Sequence, residues 1–212
     1  MSAEPCLNIC EIFYSLQGES TFAGLPCVFV RLADCNLDCS YCDTKYSHFS
    51  GKPMQIAEIV EAITDYPPVG LVEITGGEPL LQDNVTFLMQ KLQEHGYQIL
   101  LETNGSMYVG EVPDYVIKIM DVKTPGSGHG DSFMKWNLKC LNPQDELKFV
   151  ITNFYDYAFA RKFLDEHQLW DQTILFSPVQ TALPASKLAE WILRDGIKAR
   201  LQLQLHKLLD IK

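Results

Sequence analysis

Long apolar runs are missing from this chain of 212 residues. No stretch reaches the roughly 18 uninterrupted apolar residues that a membrane-spanning helix needs. The opening MSAEPCLNICEIFYSLQGES also lacks the basic start and sustained apolar stretch of an export signal. These absences predict a cytoplasmic protein with no membrane contact. Positive charge is scarce: 17 Lys and Arg face 27 Asp and Glu, a formal net charge of −10. That balance argues against a broad basic footprint for nucleic acid or anionic lipid and favours small-molecule substrates. Internal repeats and low-complexity tracts are absent too. Cysteine is not scarce, at seven, but an odd count without an export signal fits reduced thiols and metal ligation better than a disulfide framework.

A chain of this length that is 47% hydrophobic can bury one substantial core, and residues 1–212 are expected to form a single domain. Short apolar runs at 28–33, 71–75, 98–102, 115–121, 147–152 and 173–177 read as buried parallel strands. Between them Ile56, Ile59, Val60 and Ile63 form one helical stripe, and Val85, Leu88, Met89 and Leu92 another, with Gly96 placed to end the second helix. A third helix is expected over 155–167. Alternation of this kind predicts an α/β fold with a parallel sheet. Because a closed eight-unit barrel typically needs about 250 residues, an open, partial (β/α)6-type barrel is expected. Residues 124–146, rich in Gly, Asn and Pro, are expected to form a loop near the site or a disordered insertion. In ARLQLQLHKLLDIK, the alternation of Leu201, Leu203 and Leu205 suits a half-buried strand.

Two segments carry chemistry. In CNLDCSYCDTKYS, Cys35, Cys39 and Cys42 stand in a Cys-x3-Cys-x2-Cys run. A four-iron cluster held by three thiolates leaves one iron open to a ligand that is not protein. Structural zinc, completed by Cys27, Cys140, Cys10 or His48, is the rival reading, but zinc usually takes two cysteine-style pairs and no second pair exists. Cys6, Cys10, Cys27 and Cys140 read as small hydrophobes. The second segment is EITGGEP at 73–79. Gly76 and Gly77 permit close approach of backbone to a ligand, and Glu78 supplies an anion at a strand end, where parallel α/β folds put their sites. Taken alone, it also reads as an ordinary strand-to-helix turn with Pro79 opening the helix.

The cysteine run with Tyr41 as its aromatic, followed after a βα unit by GGEP, resembles the radical S-adenosylmethionine (SAM) superfamily. SLQGES, the Arg31 strand, CNLDCSYCDTKY, ITGGEP, LETNG, DVKTPGSG, FSPV and LQLHK, spread over nearly the full length, resemble the 7-carboxy-7-deazaguanine synthase family in particular. That resemblance implies a carbon–nitrogen lyase that contracts the ring of 6-carboxy-5,6,7,8-tetrahydropterin, with release of ammonia, on the route to queuosine. It implies a 4Fe–4S cluster on Cys35, Cys39 and Cys42, with SAM bordered by Tyr41, Asp43, Gly77 and Glu78. Glu102, Asn104, Lys123, Thr124 and Ser177 are further SAM contacts at successive strand ends. Magnesium would be held by Thr44 and the substrate carboxylate, in keeping with its taste for hard oxygen, although Thr44 reads equally as a helix N-cap. The pterin would rest on Leu16, Gln17 and Gly18, with Glu19 facing its donor edge, Arg31 pairing its carboxylate, and Thr75, His206 and Lys212 close by. Without the resemblance, a lone arginine in a strand is usually a snorkelling surface residue, and His206 and Lys212 belong to a strand face and a frayed end. A flavodoxin-like one-electron donor and a homodimer are also implied.

Two other functions compete. A radical SAM activating enzyme acting on a partner protein would need a docking groove, and Gln17, Arg31 and Thr44 match the pterin family instead. An iron–sulfur electron carrier would normally supply four ligands, and the fourth cysteine is missing. No general base is identifiable from the residues.

Overall fold

The computed structural model describes residues 5–212. Nine strands form one sheet: β1 (Cys6–Leu16), β2 (Pro26–Leu32), β3 (Lys52–Gln55), β4 (Leu71–Gly76), β5 (Gln98–Thr103), β6 (Val116–Asp121), β7 (Glu146–Ile151), β8 (Thr173–Pro178) and β9 (Arg200–Leu201). Their order is β3-β1-β2-β4-β5-β6-β7-β8-β9. From β2 onward every pairing is parallel, whereas β1 runs antiparallel to both β2 and β3. The sheet therefore stays open, with β3 and β9 as its edges. All six expected strands are present within one or two residues of their expected bounds; β1 and β3 are additions.

Helices α1 (Ile56–Thr64), α2 (Val85–Glu94), α3 (Phe154–His167), α4 (Ala185–Asp195) and the short α5 (Leu205–Leu209) complete the fold. Local chemistry starts and stops them. Gln55 and Glu58 make a reciprocal capping box on α1. Asn153 Oδ1 caps α3, accepting from the amides of Tyr155 at 2.8 Å and Asp156 at 3.1 Å. Past α2, Gly96 adopts φ +80°, as a helix-ending glycine should. Two crossovers depart from the expected alternation: β5 to β6 and β6 to β7 run without an α-helix.

The helix-covered face of the sheet holds the main core, in which Ile59, Leu88, Leu92, Ile74, Leu164 and Leu188 are fully buried. Each such side chain contributes about 1.5–3 kcal/mol. The opposite, concave face carries a smaller apolar layer of Phe13, Cys27, Phe29, Leu71, Leu100, Ile117 and Ile119.

Of the two readings of residues 124–146, the structure agrees with the loop near the site, since Gly126 and Ser127 bond Ser40; the reading of the C-terminal end needs correction. Residues 124–146 are an ordered connection, with 3-10 turns at Pro125–Ser127 and Lys135–Cys140 and a buried Asn137 that bonds the carbonyls of Gly105 and Met107. The half-buried strand expected at the C-terminal end shrinks to Arg200–Leu201 followed by α5. Its alternation is real but inverted, since Leu201 is exposed and Gln202 buried. The polar side of that segment is the one turned inward.

Candidate functional site

Side chains alternate between faces along a strand, so register decides what the concave face presents. Phe29 pairs with Glu73, Glu73 with Leu100, Glu102 with Ile119, and Asp121 with Lys148. In a parallel sheet, paired residues share a face. One or two steps beyond the apolar floor, toward the strand C-termini, the same face therefore carries Arg31, Glu73, Thr75, Glu102, Asp121 and Lys148. These residues line a cavity of about 440 Å³.

One wall of that cavity is the loop after β2. Cys35, Cys39 and Cys42 all line it, with Tyr41, Asp43 and Thr44. The loop is held from several directions. Glu78 N–H donates to Asp34 O at 2.8 Å and Cys42 N–H to Cys39 O at 3.1 Å. Ser40 donates through its amide to Ser127 O at 3.0 Å and through its hydroxyl to Gly126 O at 2.8 Å. A Cβ on Gly77 would lie 2.0 Å from Asp34 O and 2.7 Å from Cys35 Cβ, so only glycine lets the end of β4 press against the root of the cysteine loop. Burial pushes the Cys35 and Cys39 thiols up, and the Lys123 ammonium opposes it. Among the described residues no group of three or more His, Cys, Asp and Glu is arranged to hold a single metal ion. Three sulfurs with no fourth cysteine on the cavity wall suit a cluster with one open iron. Tyr41 Oη and Asp121 Oδ1 are buried in this wall without a protein partner, which leaves a donor and an acceptor for a polar ligand beside the cysteines.

Of the residues expected around SAM, Tyr41, Asp43, Gly77, Glu102, Asn104 and Lys123 line the cavity, whereas Glu78, Thr124 and Ser177 do not. Glu78 is fully buried and accepts from Leu80 N at 3.0 Å, Asn104 N at 2.7 Å and Thr103 Oγ1 at 2.9 Å. Those bonds make it a clamp between the ends of β4 and β5. Thr124 Oγ1 donates to Val150 O at 2.8 Å, and Ser177 Oγ is buried without a partner. Thr44 precedes a 3-10 turn (Lys45–His48), but its side chain makes no capping bond; its hydroxyl lies 3.6 Å from Cys42 Sγ.

The cavity is also lined by Leu16, Gln17, Gly18, Glu19, Arg31, Thr75, His206 and Lys212, all of those expected around the pterin. A Cβ on Gly18 would sit 2.3 Å from His206 Nδ1, so any other residue there would displace the His206 ring from its place against the QGE turn. Gln204 Nε2 donates to Glu19 Oε1 at 2.7 Å, and Leu205 N–H to Gly18 O at 2.9 Å. Arg31 Nε sits 2.8 Å from Glu11 Oε1, a carboxylate that also holds Lys212 and the Tyr46 hydroxyl. The Arg31 guanidinium lies 5.7 Å from the centre of the Phe13 ring, which stacks on Phe29 at 4.8 Å.

Residue-by-residue reading named Gln17, Glu19, Glu102 and Lys123 but missed Glu73, Asp121 and Lys148, which join them in the middle of the cavity. Lys148 Nζ is 2.9 Å from Glu19 Oε2 and 3.7 Å from Asp121 Oδ2, and contacts Glu102. Lys123 Nζ binds Asp121 Oδ2 at 2.8 Å. Gln17 donates to Glu73. Burial raises Glu19, but the Lys148 ammonium, the Gln204 amide and His206 together outweigh it and hold that carboxyl at about 2. Glu73 is pushed up to about 7 by burial, only partly offset by Lys148 and Gln17. Burial, reinforced by Glu19, Glu73 and Asp121, pushes Glu102 well above the carboxylate range against the pull of Lys148. The same desolvated pocket thus pushes Glu73 and Glu102 up while holding Glu19 low. A signal for these residues existed: Glu73 in LVEITG and Lys148 in ELKFVI are single polar residues at inward positions of apolar strands.

Residues 30–124 match the Radical SAM superfamily, which defines the class. Across 95% of its length the chain is 44% identical to the 7-carboxy-7-deazaguanine synthase of Koribacter versatilis, covering 96% of that protein. It is 43% identical, over 98% of its length and 96% of the relative, to the synthase of the same name from Chlorobaculum tepidum. Among solved structures, it superposes on that described as QueE from Escherichia coli with a TM-score of 0.78, at 24% identity and 95% coverage of both chains. That likeness agrees with the mostly parallel open sheet. The chain belongs to the 7-carboxy-7-deazaguanine synthase family.

Proposed function

We propose that this chain converts 6-carboxy-5,6,7,8-tetrahydropterin to 7-carboxy-7-deazaguanine and ammonia, as a carbon–nitrogen lyase of queuosine biosynthesis. The observation that carries the reading is one cavity lined both by three cysteines and by Gln17, Glu19, Arg31 and His206. Cys35, Cys39 and Cys42 would hold a 4Fe–4S cluster, with SAM against Tyr41, Asp43, Gly77, Asn104 and Lys123. When bound, these groups supply a deoxyadenosyl radical that removes a hydrogen atom from the substrate.

The chain's own residues orient and shield. The flat apolar pair Phe13 and Phe29 forms the floor under the pterin end. Glu19, kept ionised by Lys148, accepts from the donor edge of the ring. Arg31 presents the guanidinium face left free by Glu11 to the substrate carboxylate, a charge-assisted pair. Thr44, uncommitted as a cap, is an oxygen donor for magnesium, which would bind chiefly through substrate oxygens and water. No helix among the described residues is long and apolar enough to cross a membrane, which is compatible with a cytoplasmic enzyme. A flavodoxin-like donor and a homodimeric assembly complete the proposal.

The test is anaerobic reconstitution with iron and sulfide, followed by SAM, dithionite and carboxy-tetrahydropterin, with and without magnesium. Deazapurine and ammonia are expected in equal amounts. SAM cleavage without deazapurine would turn the assignment toward an activating enzyme.

A further inference from the structure

Ring contraction with loss of ammonia needs a group that takes a proton from carbon and one that gives a proton to nitrogen. Nothing in the preceding assignment supplies either. Buried Glu73 and half-buried Glu102 line the cavity from adjacent parallel strands, and the charge of Glu73 raises the cost of ionising Glu102. Around them stand Glu19 from the loop after β1, Arg31 from β2, Asp121 from β6, Lys123 beyond it, Lys148 from β7 and His206 from α5. Gln17 bonds Glu73 directly. Lys148 ties Glu102 to Glu19.

We infer that Glu73 and Glu102 form a proton-exchanging pair for the ammonia-releasing step, one carboxylate accepting from a ring carbon while the other, protonated, donates to the departing nitrogen. This deepens the ring-contraction reading and rests on it. The bookkeeping closes. The substrate contains the atoms of product plus ammonia, so no outside oxidant or reductant is required. The C–H bond breaks and its electron pair becomes the new ring double bond. The C–N bond breaks, its pair stays on nitrogen, and nitrogen takes the proton that makes it ammonia. The pair ends with as many protons as it began, shifted from one carboxyl to the other. Lys148 keeps the charge between them balanced at both stages.

The experiment uses the reconstituted holoenzyme with substrate deuterated at the radical-attacked carbon, comparing wild type with Glu73→Gln and Glu102→Gln. Both variants are expected to pass deuterium into SAM while ammonia and deazapurine release falls about 10²- to 10⁴-fold, the usual contribution of a positioned acid or base. An independent readout needs no cofactor. The infrared spectrum of the cluster-free protein at neutral pH should show a buried protonated carboxyl band that either substitution removes. Ammonia release at the wild-type rate in both variants, or no such band in the wild type, overturns the pair. A wild type that neither exchanges deuterium nor releases ammonia sinks the ring-contraction reading itself, and the pair with it.

Discussion

The two faces of the parallel sheet are built from the same strands by opposite rules. On the helix side, Val72, Ile74, Ile99, Leu101, Leu147 and Phe149 are apolar along each strand, and the packing ends in edge-to-face contacts among Phe149, Phe163 and Phe176. On the concave side, the apolar layer stops halfway up and charged residues take over. Apolar packing gives stability that varies little with pH, whereas a buried charge cluster ties stability to protonation. One face holds the fold together and the other spends part of that stability on chemistry.

The sharpest way to break this contrast is Cys39→Ala, expected to abolish cluster absorbance and SAM cleavage while leaving the denaturant midpoint nearly unchanged; intact cluster content would refute the ligand assignment. On the other face, Leu88→Ala should cost about 2–5 kcal/mol in denaturant unfolding without altering KM for the substrate. A changed KM would show that the two faces are coupled. Glu73→Gln should act oppositely and with pH. Its folded pKa is raised to about 7, so the folded state binds more protons than the unfolded state between the ordinary carboxylate pKa and about 7. Wild-type stability must therefore fall as pH rises through that window, by roughly 2–4 kcal/mol, and the variant should flatten that slope. An unchanged slope would place the proton elsewhere. Smallest is Asn153→Ala at the start of α3, expected to cost about 1 kcal/mol in thermal unfolding with no effect on cluster or turnover.

Much of the helix-side architecture could be read from the residues, because burial on both faces leaves unbroken apolar runs. The strand β1 escaped notice because CLNICEIFYSL mixes polar and apolar residues without strict alternation, as suits a strand at the antiparallel margin. Helix α4 went unread despite the stripe of Leu188, Trp191 and Ile192 at helical spacing. At the site, most residues expected from motif resemblance line the cavity, whereas Glu78, beside two glycines, has its carboxylate taken up by bonds to Leu80, Asn104 and Thr103. The floor stayed hidden for a different reason. A single Glu or Lys in an apolar strand has no meaning until the register of its neighbours is known, and only the pairing Asp121 with Lys148 and Glu73 with Leu100 turns four isolated polar residues into one cluster.

The contact between the QGE turn and α5 has a consequence for how the enzyme is assembled. Gln204 and Glu19 are 185 positions apart, and Ser15 and Lys212 are 197 apart. Loop-closure entropy rises with such separation, and pairings of this range are the slow ones in folding. The cysteine loop is tied over shorter spans to Glu78, Gly126 and Ser127, and over a comparable one only where Asp43 meets Lys207 at 2.7 Å. The contacts that finish the cavity are therefore those expected to form last as the chain folds.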